Sequence, residues 1–359
     1  MPDLLMPALG ADMESGELLE WRITPGDRVS HGDIVGVVET DKGAIEIEAY
    51  EEGTVEALLV DPGARVPVGV PIARLDGAPA PAPAVPAPPP PSRARPPASP
   101  AARREAERLG IELHDVTGTG PAGAIQLEDV RTAAAAGDPT EALRRAVGRL
   151  MARSKREIPH YYLSLAVPVD AAVAHLERLN RDRPPSARIV MTTMAAKALA
   201  LACAAVPEMS GRYEDERFVP EPAVRVGLAV AMRGGGVIAP ALAGVADAQL
   251  DSLSERVREL VGRARRGRMR SSEAAGGSIT LSSLGERSAD LVHGVIYPPQ
   301  VALVGMGSVT RRPWADGDEV VARSVVTLTL AGDHRVSDGR RGGLFLREIA
   351  RLLTTPEEL

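Results

Sequence analysis

The sequence predicts a multidomain protein with an all-β module first, a small helical module next and an α/β domain with a mixed sheet last. Three observations lead to this prediction. Residues 1–76 contain an internal repeat, residues 79–100 are rich in proline and alanine, and the last 220 or so residues alternate helical with strand-like patterns. At 359 residues the chain is also too long for one ordinary core.

Composition indicates a folded globular protein, with 44% hydrophobic and 25% charged residues. The net charge of −6 gives no reason to expect nucleic acid as a partner. Neither a secretory signal nor an uncharged apolar run long enough to span a bilayer is visible, so no membrane partner is expected. One cysteine, Cys203, can form neither an internal disulfide nor a thiolate metal cluster. We therefore expect a cytoplasmic protein without a metal site.

The repeat in residues 1–76 has an offset of 37 residues. The run 26–29 (Gly-Asp-Arg-Val) recurs at 63–66 (Gly-Ala-Arg-Val), and Gly32 recurs as Gly69. Two similar half-sheets folded together predict a quasi-symmetric β-sandwich or flattened barrel.

A β-hairpin with Lys42 at its tip is predicted inside this module. Its two arms, 33–39 and 44–49, alternate apolar and polar residues, and Gly43 suits the end of a tight turn. The offset carries Lys42 onto position 79, where the chain leaves the module, so the lysine and the tether are expected at opposite ends. A solvated surface lysine is the alternative interpretation.

Half of the residues from Pro79 to Pro100 are proline. Such a segment cannot build a core and favours extended polyproline II, which at about 3.1 Å per residue reaches roughly 70 Å. It is either an inert spacer or the arm of a mobile module.

Residues 98–133 are expected to form a helix, a glycine-rich loop and a second helix, with helices over 99–109 and 127–135. The loop 118–123 formally matches GxGxxG. That fingerprint requires a preceding strand, whereas a charged helical segment precedes this loop and Pro121 interrupts it, so we reject a dinucleotide site. A unit this small is interpreted as a docking module.

The remaining chain, after a short link at 137–139, predicts an α/β domain large enough for an active site. The predicted helices are 140–157, 170–180, 192–205, 250–266 and 342–353. The predicted strands are 161–169, 224–232, 278–282, 300–305 and 324–331.

Three motifs together resemble the dihydrolipoyl acyltransferase component of the 2-oxoacid dehydrogenase complexes. Residues 39–42 (Glu-Thr-Asp-Lys) resemble its lipoylation site, 99–104 with 116–121 resemble its peripheral subunit-binding domain, and 333–339 (Asp-His-Arg-Val-Ser-Asp-Gly) resemble its acyltransferase signature. Biotin carriers share the lysine hairpin but place methionine on both sides of the lysine, so Asp41 and Gly43 favour lipoate.

The resemblance implies four segments. They are a lipoyl/biotinyl-like flattened barrel at 1–76, a flexible linker at 77–97, a subunit-binding domain at 98–135, and a chloramphenicol acetyltransferase-like acyltransferase domain with a mixed sheet at 140–359. It also implies covalent lipoate on Lys42, from which an acyl group, expected to be acetyl, passes to coenzyme A.

The same resemblance implies partners. We expect a 2-oxoacid decarboxylase and dihydrolipoamide dehydrogenase to dock on residues 98–135, and homotrimers to assemble into a larger core with active sites between subunits. The alternative is a non-catalytic lipoyl-bearing scaffold. Such proteins tend to lack the active-site histidine, whereas His334 stands in its full motif.

Acyl transfer between thiols needs a base, because a thiol with a pKa of about 8.5 is mostly protonated at neutral pH. The resemblance assigns this role to His334, and histidine suits such proton transfer. It assigns Ser282 as donor to the oxyanion, with Ser283 as the alternative, and gives Asp338 a supporting role, through an arginine, in holding the loop that aims the imidazole.

Two departures concern the acyl group. Residues 286–299 differ from the family's usual Phe-rich stretch followed by Ile-Asn-Pro-Pro, and Arg340 stands where acetyl-transferring members usually have alanine.

Overall fold

The computed structural model describes residues 3–8, 13, 15–40, 43–75, 98–109, 113, 116, 118–130, 139–232, 235–274, 276–285 and 289–359. Lys42, the linker at 77–97 and the second half of the predicted helix 127–135 lie outside the described residues.

Two four-stranded sheets form the N-terminal unit. The first has the order β1-β8-β6-β3, and the second has the order β5-β4-β2-β7. The strands are β1 Leu4–Leu5, β2 Ser15–Trp21, β3 Arg28–Val29, β4 Ile34–Thr40, β5 Gly43–Glu48, β6 Gly53–Leu58, β7 Arg65–Pro67 and β8 Pro71–Leu75. Their apolar faces form one core, with Leu18, Val38, Ile45 and Ile72 at 0% exposure.

The predicted repeat is confirmed in the backbone. Gly26 and Gly63 have φ angles of +99° and +88°, and Gly32 and Gly69 have φ angles of +91° and +82°. Side chains other than glycine are strained in this region, so each half needs glycine at the same two turns. The pairing repeats as well, because β2 with β4 in one sheet corresponds to β6 with β8 in the other.

The predicted hairpin is confirmed on both arms. Strands β4 and β5 pair antiparallel, with Val38 opposite Ile45, and the ladder closes at Thr40 and Gly43. Ile45 and Ile47 are buried, at 0% and 2% exposure, which fixes the register of β5.

A small helical unit follows. Helix α1 (Pro100–Leu109) begins where the Ser99 hydroxyl accepts a hydrogen bond from the Ala102 amide. Residues 127–130 are helical as predicted. The loop between them is closed by the Asp129 carboxylate, which accepts hydrogen bonds from the Thr119 and Gln126 amides. The Thr119 amide of the GxGxxG-like loop is therefore already bonded within the fold.

The C-terminal unit is α/β. Its helices are α2 Pro139–Glu157, α3 Asp170–Asn180, α4 Met191–Ala205, α5 Leu250–Arg265, α6 Ser271–Ala274 and α7 Gly339–Thr354. Its strands are β9 His160–Pro168, β10 Gly211–Glu214, β11 Arg217–Pro220, β12 Val226–Leu228, β13 Val230–Ala231, β14 Val237–Ile238, β15 Ala241–Leu242, β16 Met269–Arg270, β17 Ile279–Ser283, β18 Ala302–Met306, β19 Thr310–Asp316 and β20 Glu319–Asp333.

Seven of these strands form the mixed sheet that was predicted. The order is β15-β12-β17-β18-β20-β19, and β9 also pairs with β20. Strands β12, β17 and β18 are parallel to one another, and β20 is antiparallel to β18, β19 and β9. One short strand of this unit, β16, pairs in parallel with β5 of the N-terminal unit and so extends that unit's second sheet.

Helix α4 lies at the centre of this core. Ten of its fifteen residues are buried, including Cys203. The segment Pro185–Ala205 is long and apolar enough to meet a length-and-composition test for a membrane span, but it is 61% buried in the fold. It packs here as a core helix, which covers the predicted helix 192–205.

Candidate active site

His334 lies directly after β20 on a fixed backbone. Its amide donates to the Pro159 carbonyl at 3.0 Å, and the preceding amide, of Asp333, donates to the Val301 carbonyl at 2.9 Å. The His334 side chain is exposed in the single chain. A histidine held in this way can meet a substrate without the loop having to rearrange.

Asp333 organises the turn that carries His334. Its carboxylate is 0% exposed and accepts hydrogen bonds from the Arg335 amide and guanidinium, at 2.7 to 3.1 Å. Its carbonyl accepts from the Val336 and Ser337 amides. The Arg335 guanidinium also stacks on the Tyr213 ring, with 3.9 Å from Cζ to the ring centroid. The whole turn is therefore tied to buried structure.

Tyr161 packs edge-on against the His334 imidazole, with 5.4 Å between ring centroids and 71° between planes. Its hydroxyl shares a 2.8 Å hydrogen bond with the Ser337 hydroxyl. Burial raises the pKa of Tyr161, so its phenol stays protonated at neutral pH. Tyr161 thus restricts the imidazole from one side.

Asp338 is the N-cap residue of α7. Its Oδ1 accepts a hydrogen bond from the Arg341 amide at 2.9 Å. That bond holds the pKa of the Asp338 carboxyl below its usual value, and a charge interaction with His334 acts in the same direction. The Arg341 guanidinium bonds to Glu208 instead. Arg341 and Arg340 therefore both bond to the Asp338 carboxylate through their backbone amides.

Ser282 and Ser283 end strand β17, and both are half-buried. The Ser283 hydroxyl accepts hydrogen bonds from Thr192 Oγ1 and the Gly285 amide, both at 3.3 Å. Within the part of the chain that the structure describes, the Ser282 hydroxyl makes no hydrogen bond. The two accepted bonds fix the Ser283 oxygen in the fold, whereas the Ser282 hydroxyl can rotate towards a substrate oxygen.

The single chain does not bring Ser282 and His334 together. Ser282 is level with Gly305, and Gly305 is level with Thr329. Strand β20 then runs on to Asp333, so Ser282 and Asp333 Cα atoms are roughly 16 Å apart at about 3.3 Å per residue and 4.8 Å between strands. The two predicted site residues lie toward opposite ends of the sheet.

The sequence analysis missed three residues of this site. Asp333 and Arg335 stand in the quoted motif, where they bond to each other across the turn. Tyr161 lies in the predicted strand 161–169, and only the pairing of β9 with β20 shows that it meets His334. The register places Tyr161 opposite Gly332, where the Tyr161 ring occupies the space of a Cβ.

Comparisons with known proteins agree with all three predicted modules. The family model "2-oxoacid dehydrogenases acyltransferase (catalytic domain)" matches residues 134–359. The model "Biotin-requiring enzyme" matches residues 2–75, and the model "e3 binding domain" matches residues 96–131.

Two relatives match over nearly their full length. The dihydrolipoyllysine-residue acetyltransferase component of the pyruvate dehydrogenase complex of Zymomonas mobilis is 28% identical, over 99% of this chain and 98% of that protein. The lipoamide acyltransferase component of the branched-chain alpha-keto acid dehydrogenase complex of Pseudomonas aeruginosa is 30% identical, over 99% and 98%. Among solved structures, the cubic core of the pyruvate dehydrogenase multienzyme complex has the same fold, with a TM-score of 0.55 at 22% identity over 60% of this chain and 89% of that one.

Proposed function

Because the chain belongs to the 2-oxoacid dehydrogenase acyltransferase family, we propose that it transfers an acetyl group from a lipoyl-lysine on its N-terminal domain to coenzyme A. The observation that carries the proposal is His334, presented to solvent on a turn that Asp333, Tyr161 and the α7 cap hold in place. The name of the Zymomonas relative supports acetyl as the acyl group.

The proposal assigns residues 1–76 to the lipoyl domain, 77–97 to the linker, 98–135 to the subunit-binding domain and 140–359 to the acyltransferase domain. The described strands fit a lipoate at Lys42, because β4 and β5 pair up to Thr40 and Gly43, on either side of Asp41 and Lys42 in the sequence. An amide link needs one lysine amine and no binding pocket. When attached, the lipoyl group supplies the thiol that carries the acyl group as a thioester.

His334 acts as the general base in this proposal. Its imidazole takes the proton from the coenzyme A thiol, and the resulting thiolate attacks the acyl carbonyl. The same imidazolium then returns the proton to the departing sulfur. The Asp338 carboxylate supports the site by capping α7 directly after the turn that carries His334.

Ser282 donates a hydrogen bond to the oxygen of the acyl carbonyl as negative charge develops on it. Its freedom to rotate supports this role over Ser283, whose oxygen is fixed by two bonds that it accepts within the fold. Because Ser282 lies far from His334 within one chain, we propose that each active site combines His334 of one subunit with Ser282 of the next in a homotrimer. The cubic core of the similar solved structure supports assembly of such trimers into a larger core.

The helical unit is proposed to hold the partner enzymes. The match to the e3 binding domain supports docking of dihydrolipoamide dehydrogenase on residues 98–135, and we propose that a 2-oxoacid decarboxylase docks there as well. Cys203, which is buried and unpaired, is compatible with the reducing cytoplasm in which we place the assembly.

Replacement of His334 by alanine tests the proposal. We expect His334→Ala to lower acetyl transfer from acetyl-coenzyme A to free dihydrolipoamide by about 10²- to 10⁴-fold, because the thiol loses its base. His175→Ala, on the remote helix α3, is the matched control and is expected to keep full activity.

Assembly is measured on the same samples by analytical ultracentrifugation. Loss of transfer with unchanged assembly supports the enzyme, whereas full transfer by His334→Ala refutes it. If the wild-type protein assembles but does not transfer acetyl, the scaffold alternative is favoured.

A further inference from the structure

We propose that β16 is a docking strand for the lipoyl domain of its own chain, and that it holds the edge strand β5 at the end of the acyltransferase sheet that carries Ser282. This inference rests on the proposed function, since a docked hairpin is useful only if Lys42 carries an acyl group.

The contact is a strand addition. Without β16, strand β5 would be the edge of its sheet, with unpaired backbone donors and acceptors along one side. Strand β16 pairs with it in parallel, with Met269 opposite Ile45 and Arg270 opposite Glu46. An added strand gains affinity from backbone hydrogen bonds and specificity from neighbouring side chains.

Glu48 supplies the specificity. Its carboxylate accepts hydrogen bonds from the Ser272 amide at 3.1 Å and the Ser271 hydroxyl at 3.4 Å. The Ser271 hydroxyl in turn accepts from the Glu48 amide at 3.2 Å, and the Arg270 guanidinium lies 4.0 Å from Glu48 Oε1. Glu48 is 8% exposed and Ser271 is 0% exposed. A carboxylate this buried needs such partners, so the pairing depends on these side chains.

The docking strand is anchored beside the proposed site. Met269 is 3% exposed and packs against Val230 and Ile238 of the β13–β14 hairpin. That hairpin continues from β12, whose last residue, Leu228, is level with Leu281, the residue before Ser282. Strand β5, which starts one residue after Lys42, is thereby brought to the Ser282 end of the sheet.

The contact is small enough to open. Among the described residues it comprises two residue pairs between β16 and β5, the Glu48 cluster and the packing of Ala274 against the lipoyl-domain core. Because both partners belong to one chain, docking is intramolecular and needs little intrinsic affinity. The lipoyl domain can therefore leave to be loaded and return to deliver.

An engineered cross-link tests the docking in the full-length chain. Cysteines at the level positions, Glu46→Cys with Arg270→Cys, are expected to form an intrachain disulfide in most molecules, detected by peptide mass spectrometry. Arg65→Cys with Arg270→Cys is the control, because Arg65 lies on β7 at the opposite edge of the same sheet. The native Cys203, at 2% exposure, does not compete.

When Ser271→Ala is added to the Glu46→Cys and Arg270→Cys protein, we expect the yield of the disulfide to fall several-fold. Acetyl transfer to free dihydrolipoamide is expected to stay unchanged. Equal yields from the Glu46 and Arg65 pairs, or cross-links mainly between chains, would overturn the proposal.

A thioether lock tests delivery. A short bismaleimide joins the Glu46→Cys and Arg270→Cys side chains while the lipoyl group is oxidised, and the lock survives later reduction of that group. We expect the locked protein to accept radiolabelled acetyl from acetyl-coenzyme A onto its lipoyl domain but to resist acylation by the decarboxylase.

Failure to label the locked lipoyl domain, with normal acetylation of free dihydrolipoamide, refutes docking for delivery. Failure with both acceptors, in locked and unlocked protein alike, refutes the proposed function instead.

Discussion

The two adjacent serines at the end of β17 differ in their hydrogen bonds. Ser283 uses its hydroxyl within the fold, where it accepts from Thr192 and the Gly285 amide. The Ser282 hydroxyl has no such duty among the described residues. Accepting these bonds leaves the Ser283 proton unused, but the bonds fix its oxygen in the fold, whereas the Ser282 hydroxyl can rotate to meet the developing charge. We therefore propose Ser282 as the donor.

We expect Ser282→Ala to lower kcat about 10²- to 10³-fold with little change in KM, since the lost hydrogen bond forms mainly in the transition state. Ser283→Ala is expected to cost about 1 kcal/mol of folding stability and much less in rate. Steady-state kinetics and thermal unfolding of both variants measure this. A larger kcat loss in Ser283→Ala would reverse the assignment.

Local motifs were enough to predict His334, Ser282 and Asp338 as site residues, but no motif pointed to Tyr161. Each of these residues stands in a short run of sequence that resembles a family motif, and their expected roles follow from that resemblance. Tyr161 meets His334 only because β9 and β20 pair with Tyr161 opposite Gly332, a register set by the packing of the whole sheet.

Helix α7 approaches β9 and β20 closely because Gly342 faces them. A Cβ at Gly342 would lie 2.7 Å from Leu330 Cδ2 and 2.8 Å from the Tyr161 hydroxyl oxygen. A Cβ at the neighbouring Gly343 would make only an ordinary van der Waals contact, with Arg347 Nη1 at 3.8 Å. Two adjacent glycines in one helix therefore have opposite requirements.

Alanine at each position separates these requirements. We expect Gly342→Ala to destabilise the protein by about 1–3 kcal/mol through overpacking and to lower kcat by displacing Tyr161. Gly343→Ala is expected to stabilise it by about 0.5–1 kcal/mol, because alanine loses less entropy in a helix. Denaturant unfolding and kinetics of the pair measure both effects. Equal stabilities would contradict the packing described.

His160, the first residue of β9, bonds to the segment between β17 and β18 at Ile296. Its Nδ1 lies 2.8 Å from the Ile158 carbonyl oxygen, and its Nε2 lies 3.2 Å from the Ile296 amide. Because the carbonyl can only accept and the amide can only donate, the proton sits on Nδ1 and the ring is neutral. Burial lowers the pKa of His160, and nearby Lys155 adds to the effect.

A lowered folded-state pKa means that the His160 contribution to stability is complete above the unfolded value of about 6.5 and is lost as pH falls below it. We expect His160→Gln to have a lower Tm than the wild type at pH 7.5, with a difference that narrows by pH 5.5. His175→Gln controls for the loss of an imidazole. A pH-independent difference would refute the neutral-ring assignment.

Helices were easier to predict than edge strands. The prediction for α3 was correct at both ends, because an acidic residue opens it and its apolar positions repeat at helical spacing. Strand β19 was missed, because it is a partly exposed edge whose arginines and Pro313 hide any alternation. Its pairing with β20 around the turn at Gly317 is a tertiary feature.

Across the whole molecule, the two halves of the proposed chemistry lie at separate ends of one sheet. A chain that contains an intact Ser282 and an intact His334 does not place both around one acyl carbonyl. Assembly between chains can do so, with each subunit giving its histidine to one site and its serine to another.

Mixed assemblies test this arrangement. Homogeneous His334→Ala and Ser282→Ala proteins are each expected to be nearly inactive. Co-assembly at equal ratio is expected to restore roughly one quarter of wild-type transfer, because random mixing leaves about that share of interfaces with both native residues. Affinity tags of two kinds isolate the mixed particles for assay. Mixed particles no more active than their parents would place both residues in one subunit.

The separation of Ser282 from the end of β20 also has a consequence for chains that have folded but not yet assembled. If His334 is the proton acceptor and Ser282 the charge-stabilising hydroxyl, as proposed, a newly folded single chain holds them too far apart to act on one carbonyl, and it is inactive. Under the proposed mechanism, a single chain therefore does not act on thioesters until it has assembled with other copies.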